Sequence, residues 1–503
     1  MTVGARARSR PVAGAMWSSA GVATQALGQF VVLAVLARAL APSDFGVATA
    51  SLILVGLARL ATTEGVVGPA VTQRRELKDE HVHAAFLLSV ATGCVATTVT
   101  WFLAPAAAAF FDMPSLVQVV RALALTLILQ SFAAVPLALL LRTLRFKAVA
   151  VVDAGSFVLG FALIGCLLAV AGAGVWALVW AYVGQAVLQT ALLVMMRRHA
   201  VRWRAPWWAV RDLLVFGSGH TLARYLNYVA LQGDFVVVGR YLSDAALGVY
   251  GRAYQLAAAP AVLVGGVLDK VLFPTLSARQ GDPDRVARDY LRAVNLSVCL
   301  TAPLGVLLVI LAPELVPFVL GPGWSDVVLP LQVVALTLTF RTGYKVGDSL
   351  AKAKGAVFPR AARQAIYAVA VVGGAYAARP WGVPGVAVAV AGAITLNYVT
   401  MAALGLRLTG LGWGAFLSAH GRGLLIALLT AVGAGAATAL SRASDLPSLV
   451  TVALGALGAL LCVGVPTAVR PRRVLGADVV WLLANVARRR GALGPPTGAG
   501  HDV

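Results

Sequence analysis

An all-α fold that crosses a lipid bilayer many times is predicted by three features of these 503 residues. Sixty per cent are apolar and only 12% charged; the mean hydropathy is +0.85; and apolar stretches of about 20 residues, each able to cross roughly 30 Å of hydrocarbon, recur from end to end. An ordinary soluble domain carries about twice that share of charge, because a globular core needs a wetted polar skin. The net charge of +21 would suggest nucleic acid in a soluble protein. In a membrane protein the question is where the charges lie.

In chain order, windows bounded by charges, Pro and Gly place segments 1 to 6 near 13–37, 45–64, 82–104, 116–139, 148–170 and 175–196. Segments 7 to 14 follow near 213–239, 246–274, 293–312, 327–350, 361–378, 383–404, 423–440 and 446–468. Segment 1 reads as a retained helix, since it outruns a signal h-region and shows no small-residue cleavage site before Arg38. Cys94, Cys166, Cys299 and Cys462 all sit inside apolar segments without CxxC or metal spacing, so buried inert thiols are expected. Beyond segment 14, the basic-ended stretch Ala477 to Arg490 reads as a helix lying in the cytoplasmic interface. Residues 491–503, rich in Gly and Pro, read as disordered.

With the N-terminus placed inside, the cytoplasmic connections collect 29 Lys and Arg, while the external ones hold four, Arg38, Arg240, Arg379 and Arg442. This is the positive-inside pattern. It predicts a multi-pass protein of the cell membrane with both termini cytoplasmic. Cationic loops facing an anionic leaflet also account for the net charge without a nucleic-acid partner.

The chain repeats itself. Arg38-Ala-Leu-Ala-Pro-Ser-Asp-Phe-Gly-Val47 matches Arg240-Tyr-Leu-Ser-Asp-Ala-Ala-Leu-Gly-Val249 at an offset of 202. Val67 to Arg74 faces Leu272 to Arg279 at offset 205, and Ala124 to Leu129 faces Ala335 to Phe340 at offset 211. All three matches lie six segments apart. Six is even, so the copies share a topology and should be related by a pseudo-twofold along the membrane normal. The expected layout is a tail at 1–12, an N-terminal lobe at 13–211, a C-terminal lobe at 212–405, two extra helices at 406–469 and a basic tail at 470–503.

Eight basic residues, Arg59, Arg121, Arg224, Arg252, Lys270, Arg292, Arg341 and Lys345, lie within or at the ends of segments. A helix-borne charge at the bilayer centre costs about 2.5–3.5 kcal/mol, so such residues should face protein or water. At about 1.5 Å per residue, Arg224 falls near the middle of segment 7 and Arg341 past the middle of segment 10. Arg59 lies in the inner half of segment 2 and Arg252 in the outer third of segment 8, whereas Lys270, Arg121 and Arg292 can snorkel. Pairing of Arg224 with Asp234, or of Arg59 with Glu64, would merely staple helices. The functional reading is a cationic cleft of Arg59, Arg224, Arg252 and Arg341, lined by Gln25, Gln29, Asn227, Tyr228, Gln232 and Asp234, that binds a mobile anion. Arginine suits a phosphate because its planar fork donates two parallel hydrogen bonds and keeps its proton when desolvated. Arg224 and Arg341 are the residues expected to meet it at mid-depth.

Enzyme signals are weak. Asp282-Pro-Asp284 has the DxD spacing of nucleotide-sugar transferases, yet after Gly281 it reads as a turn. His81 and His83 lie on a charged loop and read as solvated. No GxxxxGK[ST] loop occurs, and no Ser/His/Asp set assembles. Neither a catalytic residue nor a metal or cofactor is expected.

Asn227-Tyr228, Asp234, Gly239-Arg240-Tyr-Leu242, Leu247-Gly-Val-Tyr250, Ala253-Tyr-Gln-Leu256 and Leu272-Phe-Pro-Thr-Leu-Ser277, with Arg38 to Gly46, resemble polysaccharide transporters of the O-antigen flippase type. The resemblance is to their colanic-acid and teichuronic-acid exporter branch, within the multidrug/oligosaccharidyl-lipid/polysaccharide exporter superfamily. It implies two six-helix lobes forming a V, and outward flipping of a polyprenyl-diphosphate-linked oligosaccharide by alternating access during cell-surface polysaccharide biosynthesis. The implied partners are that lipid-linked oligosaccharide, membrane lipids and other polysaccharide-assembly membrane proteins. This chain departs from related lipid flippases in having Gln25 and Gln29, and no basic residue, inside segment 1. Alternatives are a flippase for a peptidoglycan precursor, a drug/cation antiporter of the same superfamily, which would want deep acidic residues, and a membrane glycan polymerase, which would want a large external loop.

Overall fold

The structure, a computed structural model, describes residues 28–62, 71–72, 77–197, 205–260 and 282–470. Lipid offers no hydrogen bonds to a spanning backbone, so a chain this apolar must satisfy its peptide groups within helices. The described helices follow the fourteen segments in order. They are α1 (Gly28–Ala39), α2 (Pro42–Ala61), α3 (Asp79–Phe111), α4 (Leu116–Arg142), α5 (Phe146–Val170), α6 (Val175–Met196), α7 (Trp207–Tyr241) and α8 (244–260). Next come α9 (Pro283–Leu320), α10 (Val328–Leu336 and Leu338–Ala353, broken at Thr337), α11 (Val357–Ala378), α12 (Gly382–Thr409), α13 (Trp413–Ala443) and α14 (Ser448–Val469). Ten spans among the described residues are long and apolar enough to cross a membrane. The protein is a multi-pass membrane protein.

Several helices outrun the hydropathy windows that announced them. α3 continues through Pro105 to Phe111 and stops where Asp112 takes a left-handed φ of 55°, reducing the expected connection at 105–115 to 112–115. α9 starts at Pro283, ten residues ahead of its apolar window. Asp282 Oδ1 accepts the Arg285 N–H at 3.0 Å, so the DxD-like triplet is a helix start with an Asp cap and Pro at the first position. Hydropathy marks only the part of a helix inside hydrocarbon, whereas the hydrogen-bond ladder runs on into the interface. Two other expectations are corrected. His81 is 2% exposed, edge-on to Trp208 with ring centroids 5.1 Å apart, so it is packed rather than solvated. Of the cysteines only Cys299 is buried, while Cys94 is exposed.

The chain forms two compact units. The first comprises Met1–Leu256, Val316–Pro330 and Gln364–Ala393, and the second Ala257–Leu315, Leu331–Arg363 and Ile394–Val503. Helices in lipid gain little from apolar burial and instead associate through small residues that let backbones approach. In the first unit Gly160 of α5 lies on the backbone of Gln185, while Gly184 of α6 lies on Ile164. Ser89 donates to the Ser131 carbonyl at 2.8 Å, joining α3 to α4. In the second unit Gly433 and Gly458 bring α13 and α14 together, and Ser441 and Thr451 share a hydrogen bond of 2.7 Å. Tyr290 packs on Gly405 and Tyr398 on Gly343, giving this unit an aromatic centre with Phe340 and Phe416. Arg442 clamps Glu314 with bonds of 2.6 and 3.0 Å.

Candidate functional site

Two corners of the first unit obey the 202-residue repeat. α1 ends at Ala39 and α2 begins at Pro42; α7 ends at Tyr241 and α8 begins at 244. Each new helix is capped by a different residue to the same effect: Asp44 accepts the Ala41 N–H at 3.0 Å, and Ser243 accepts the Ala246 N–H at 3.0 Å. The corners lie directly on each other. Gly46 meets the carbonyl of Asp244 and Gly248 meets the carbonyl of Pro42, each so closely that a Cβ would overlap the oxygen. Positions 42 and 244 are repeat equivalents, as are 46 and 248, so the contact is reciprocal, as at a two-fold interface. Trp324, 2% exposed, covers the first corner, donating its indole N–H to the Ala37 carbonyl at 2.8 Å and standing edge-on to Phe45.

Beneath the corners lies a cavity of about 290 Å³, near the lower end of the range for small-molecule sites. Gln29 of α1, Phe45 and Thr49 of α2, Phe157 and Phe161 of α5, Tyr182 and Gln185 of α6, and Arg252 and Gln255 of α8 contribute to its wall. The α5 wall is a π-helical turn, Phe157–Leu163, within which Phe157 stacks on Phe161 at 5.6 Å. Such turns recur at functional sites because they re-aim side chains within a helix.

Among the described residues of this lining Arg252 is the one cation, and there is no carboxylate. Its guanidinium carbon lies 4.5 Å from the centroid of Phe45, and its buried Nε has no hydrogen-bond partner among the described residues. A cation held against an aromatic face keeps its in-plane N–H groups for another partner. Amides, a phenol and a hydroxyl surround it, so the lining combines one positive charge with neutral hydrogen-bonding groups.

Arg59 is exposed on α2. Tyr228 donates its hydroxyl to the Ile53 carbonyl at 3.0 Å and packs on Gly56, joining α7 to α2. Asp234, 2% exposed, accepts the Tyr250 hydroxyl at 2.6 Å. Gln232 is half-buried on α7. Arg341 belongs to the second unit. Gln25 lies outside the described residues, as do the side chains of Arg224 and Asn227.

On the opposite face of α2, Leu54, Leu57 and Ala58 border an apolar groove of about 490 Å³ that runs along α3 from Ala91 to Ala107. One helix therefore separates a polar chamber from a hydrocarbon surface.

Residues 35–329 match the family described as "Polysaccharide biosynthesis protein". The succinoglycan biosynthesis transport protein ExoT of Rhizobium meliloti is 28% identical over 67% of this chain and 67% of its own length. The lipopolysaccharide biosynthesis protein WzxC of Escherichia coli is 25% identical over 69% and 71%, and the teichuronic acid biosynthesis protein TuaB of Bacillus subtilis 23% over 68% and 71%. Among solved structures, the lipid II flippase MurJ in an inward closed conformation matches with a TM-score of 0.73 at 12% identity, covering 90% of this chain and 99% of that one. An inward-facing multidrug resistance transporter of the MATE family matches with a TM-score of 0.61 at 15% identity, covering 76% and 94%. Likenesses at such identities establish the fold.

Proposed function

Because the chain belongs to the polysaccharide biosynthesis protein family, we propose that it is a flippase that moves a polyprenyl-diphosphate-linked oligosaccharide from the cytoplasmic to the outer leaflet. The observation that carries this reading is the chamber around Arg252. A diphosphate is a compact double anion that cannot enter hydrocarbon uncompensated, and the chamber offers it one unmatched guanidinium among neutral donors. Named relatives act in succinoglycan transport and in lipopolysaccharide and teichuronic acid biosynthesis, which supports a glycan cargo. With the interior negative, outward movement of two uncompensated negative charges is favoured by about 4.6 kcal/mol per 100 mV. Both termini are placed in the cytoplasm, on the strength of the basic loops. The lobes at 13–211 and 212–405 are proposed as the parts that rock, with the helices of 406–469 as an addition and transport, not catalysis, as the outcome.

Deleting the gene should leave lipid-linked oligosaccharide in the cytoplasmic leaflet, where an external glycosidase cannot reach it, and re-expression should restore access. Accumulation of a peptidoglycan precursor instead, with loss of viability, would transfer the proposal to that substrate. Unchanged access in the deletion strain would end it.

A second reading, a cycle coupled to protons as in an antiporter, is favoured by the Asp234–Tyr250 pair. A carboxylate buried in the membrane beside a phenol is the chemistry of a proton carrier. Under this reading Asp234→Asn, which can still accept the phenol's hydrogen bond, keeps flipping but loses its response to an imposed pH gradient in proteoliposomes. A variant that responds to the gradient as wild type does excludes Asp234 from coupling.

A further inference from the structure

Few arginines survive on the external side of a membrane protein, because they oppose its topology. Of the four assigned there, two have evident internal uses. Arg38 donates to the Phe318 carbonyl at 2.6 Å, and Arg442 holds Glu314 through two bonds. The remaining two are gathered at one place. Arg379 lies 4.0 Å from the ring centroid of Tyr376 and 4.9 Å from that of Tyr241; Arg240 lies 5.8 Å from Tyr241 and 5.6 Å from Phe110. The two tyrosines meet edge to face at 5.3 Å.

Among the described residues neither guanidinium has a carboxylate or a hydrogen-bond acceptor as partner; of the carboxylates nearest to Arg240 in sequence, Asp234 accepts the Tyr250 hydroxyl and Asp244 the N–H of Ala245. Two like charges sharing the ring of Tyr241 repel each other unless an anion joins them. The rings that hold them are about half exposed, Tyr241 at 49% and Tyr376 at 47%, and Trp381, two residues beyond Arg379 in the chain, is 71% exposed. Tyr and Trp exposed in this way belong at the level of lipid headgroups. A guanidinium lying against a ring has its hydrogen-bond fork directed sideways, the geometry that receives a phosphate.

We infer that Arg240 and Arg379, on the platform of Tyr241 and Tyr376, form an external site for the phosphate of an outer-leaflet lipid. This rests on the proposed topology, but not on the chamber at Arg252. Two lipids carry that chemistry: the prenyl diphosphate that has just been delivered, and a resident anionic phospholipid.

The full chain is purified in detergent and lipid adducts are counted by native mass spectrometry, with phosphatidylglycerol, phosphatidylcholine and geranyl diphosphate as separate probes. The Arg252→Ala background removes the chamber from the measurement. At least one anionic probe should be retained in preference to phosphatidylcholine. Arg240→Ala/Arg379→Ala should weaken that retention about tenfold, and Arg240→Lys/Arg379→Lys should recover part of it, since a point charge lacks the fork. Retention of geranyl diphosphate identifies an exit site for cargo; retention of phosphatidylglycerol alone identifies a resident lipid. Equal adducts in the double-alanine protein, or no preference over phosphatidylcholine, overturns the site. Independently, a cysteine replacing Trp381 should react with an impermeant thiol reagent added to intact cells, and reaction only after permeabilisation overturns its external placement.

Discussion

Arg252→Ala abolishes flipping while leaving the protein at least as stable as wild type. Two opposite effects follow from the same geometry. In the resting protein the guanidinium is desolvated, with Nε lacking a hydrogen-bond partner among the described residues and the ring of Phe45 at 4.5 Å as its main compensation. Removing a buried group that is poorly satisfied relieves a desolvation cost, so thermal unfolding in detergent should not shift downward. For an anion in the chamber, the same removal leaves a desolvated phosphate without its counter-charge, which costs about 2–5 kcal/mol. Cargo binding should then weaken by roughly 30-fold or more. Lys in its place should recover only part, because it lacks the two parallel donors. A purely structural arginine would show the reverse, an alanine variant that melts earlier and flips at the wild-type rate per folded molecule. That result would end the assignment of the chamber.

The helices were legible because lipid forces the issue: fourteen apolar windows became fourteen helices in the same order. Their ends were less legible, since Pro105 and Asp282 were read as loop residues when one lies inside α3 and the other caps α9. Depth reasoning selected Arg252 and Gln29, and both line the chamber. It missed Tyr182, Gln185 and Gln255, although Leu178, Tyr182 and Gln185 fall on one face of α6 at i, i+4 and i+7. Polar but uncharged residues give a fainter signal than charges, because their presence in a helix can be absorbed by neighbouring backbone. The π-helical turn at Phe157–Leu163 was invisible, since FVLGFAL is apolar throughout and its register is set by how closely Gly160 approaches α6. The repeat was read as topology alone. That its two glycines would touch the opposite copy was not deducible from the spacing, because an offset relates positions without bringing them together.

At those glycines, Gly46→Leu and Gly248→Leu should each block transport, and the pair should not be additive. Any side chain at either site overlaps a carbonyl oxygen, Asp244 for one and Pro42 for the other, so relief requires the first turns of α2 and α8 to separate. Overpacking of this kind typically costs about 1–3 kcal/mol, enough to move a two-state equilibrium roughly 5- to 150-fold away from the arrangement in which the corners meet. Phe45 and Thr49, next to Gly46, and Arg252 and Gln255, beyond Gly248, line the chamber, so parting the corners opens the chamber at that end. A transporter held open on one side cannot alternate. The reciprocal geometry sharpens the test. If both glycines serve a single closure, the separation forced by one leucine already makes room for the other, and Gly46→Leu/Gly248→Leu should be scarcely worse than either single variant, a coupling visible in a double-mutant cycle. Labelling of a cysteine at Thr49 by an impermeant reagent should rise in all three variants at normal membrane abundance. Wild-type flipping by Gly46→Leu, or effects on labelling that simply add, would show that the corners pack side by side without forming one gate.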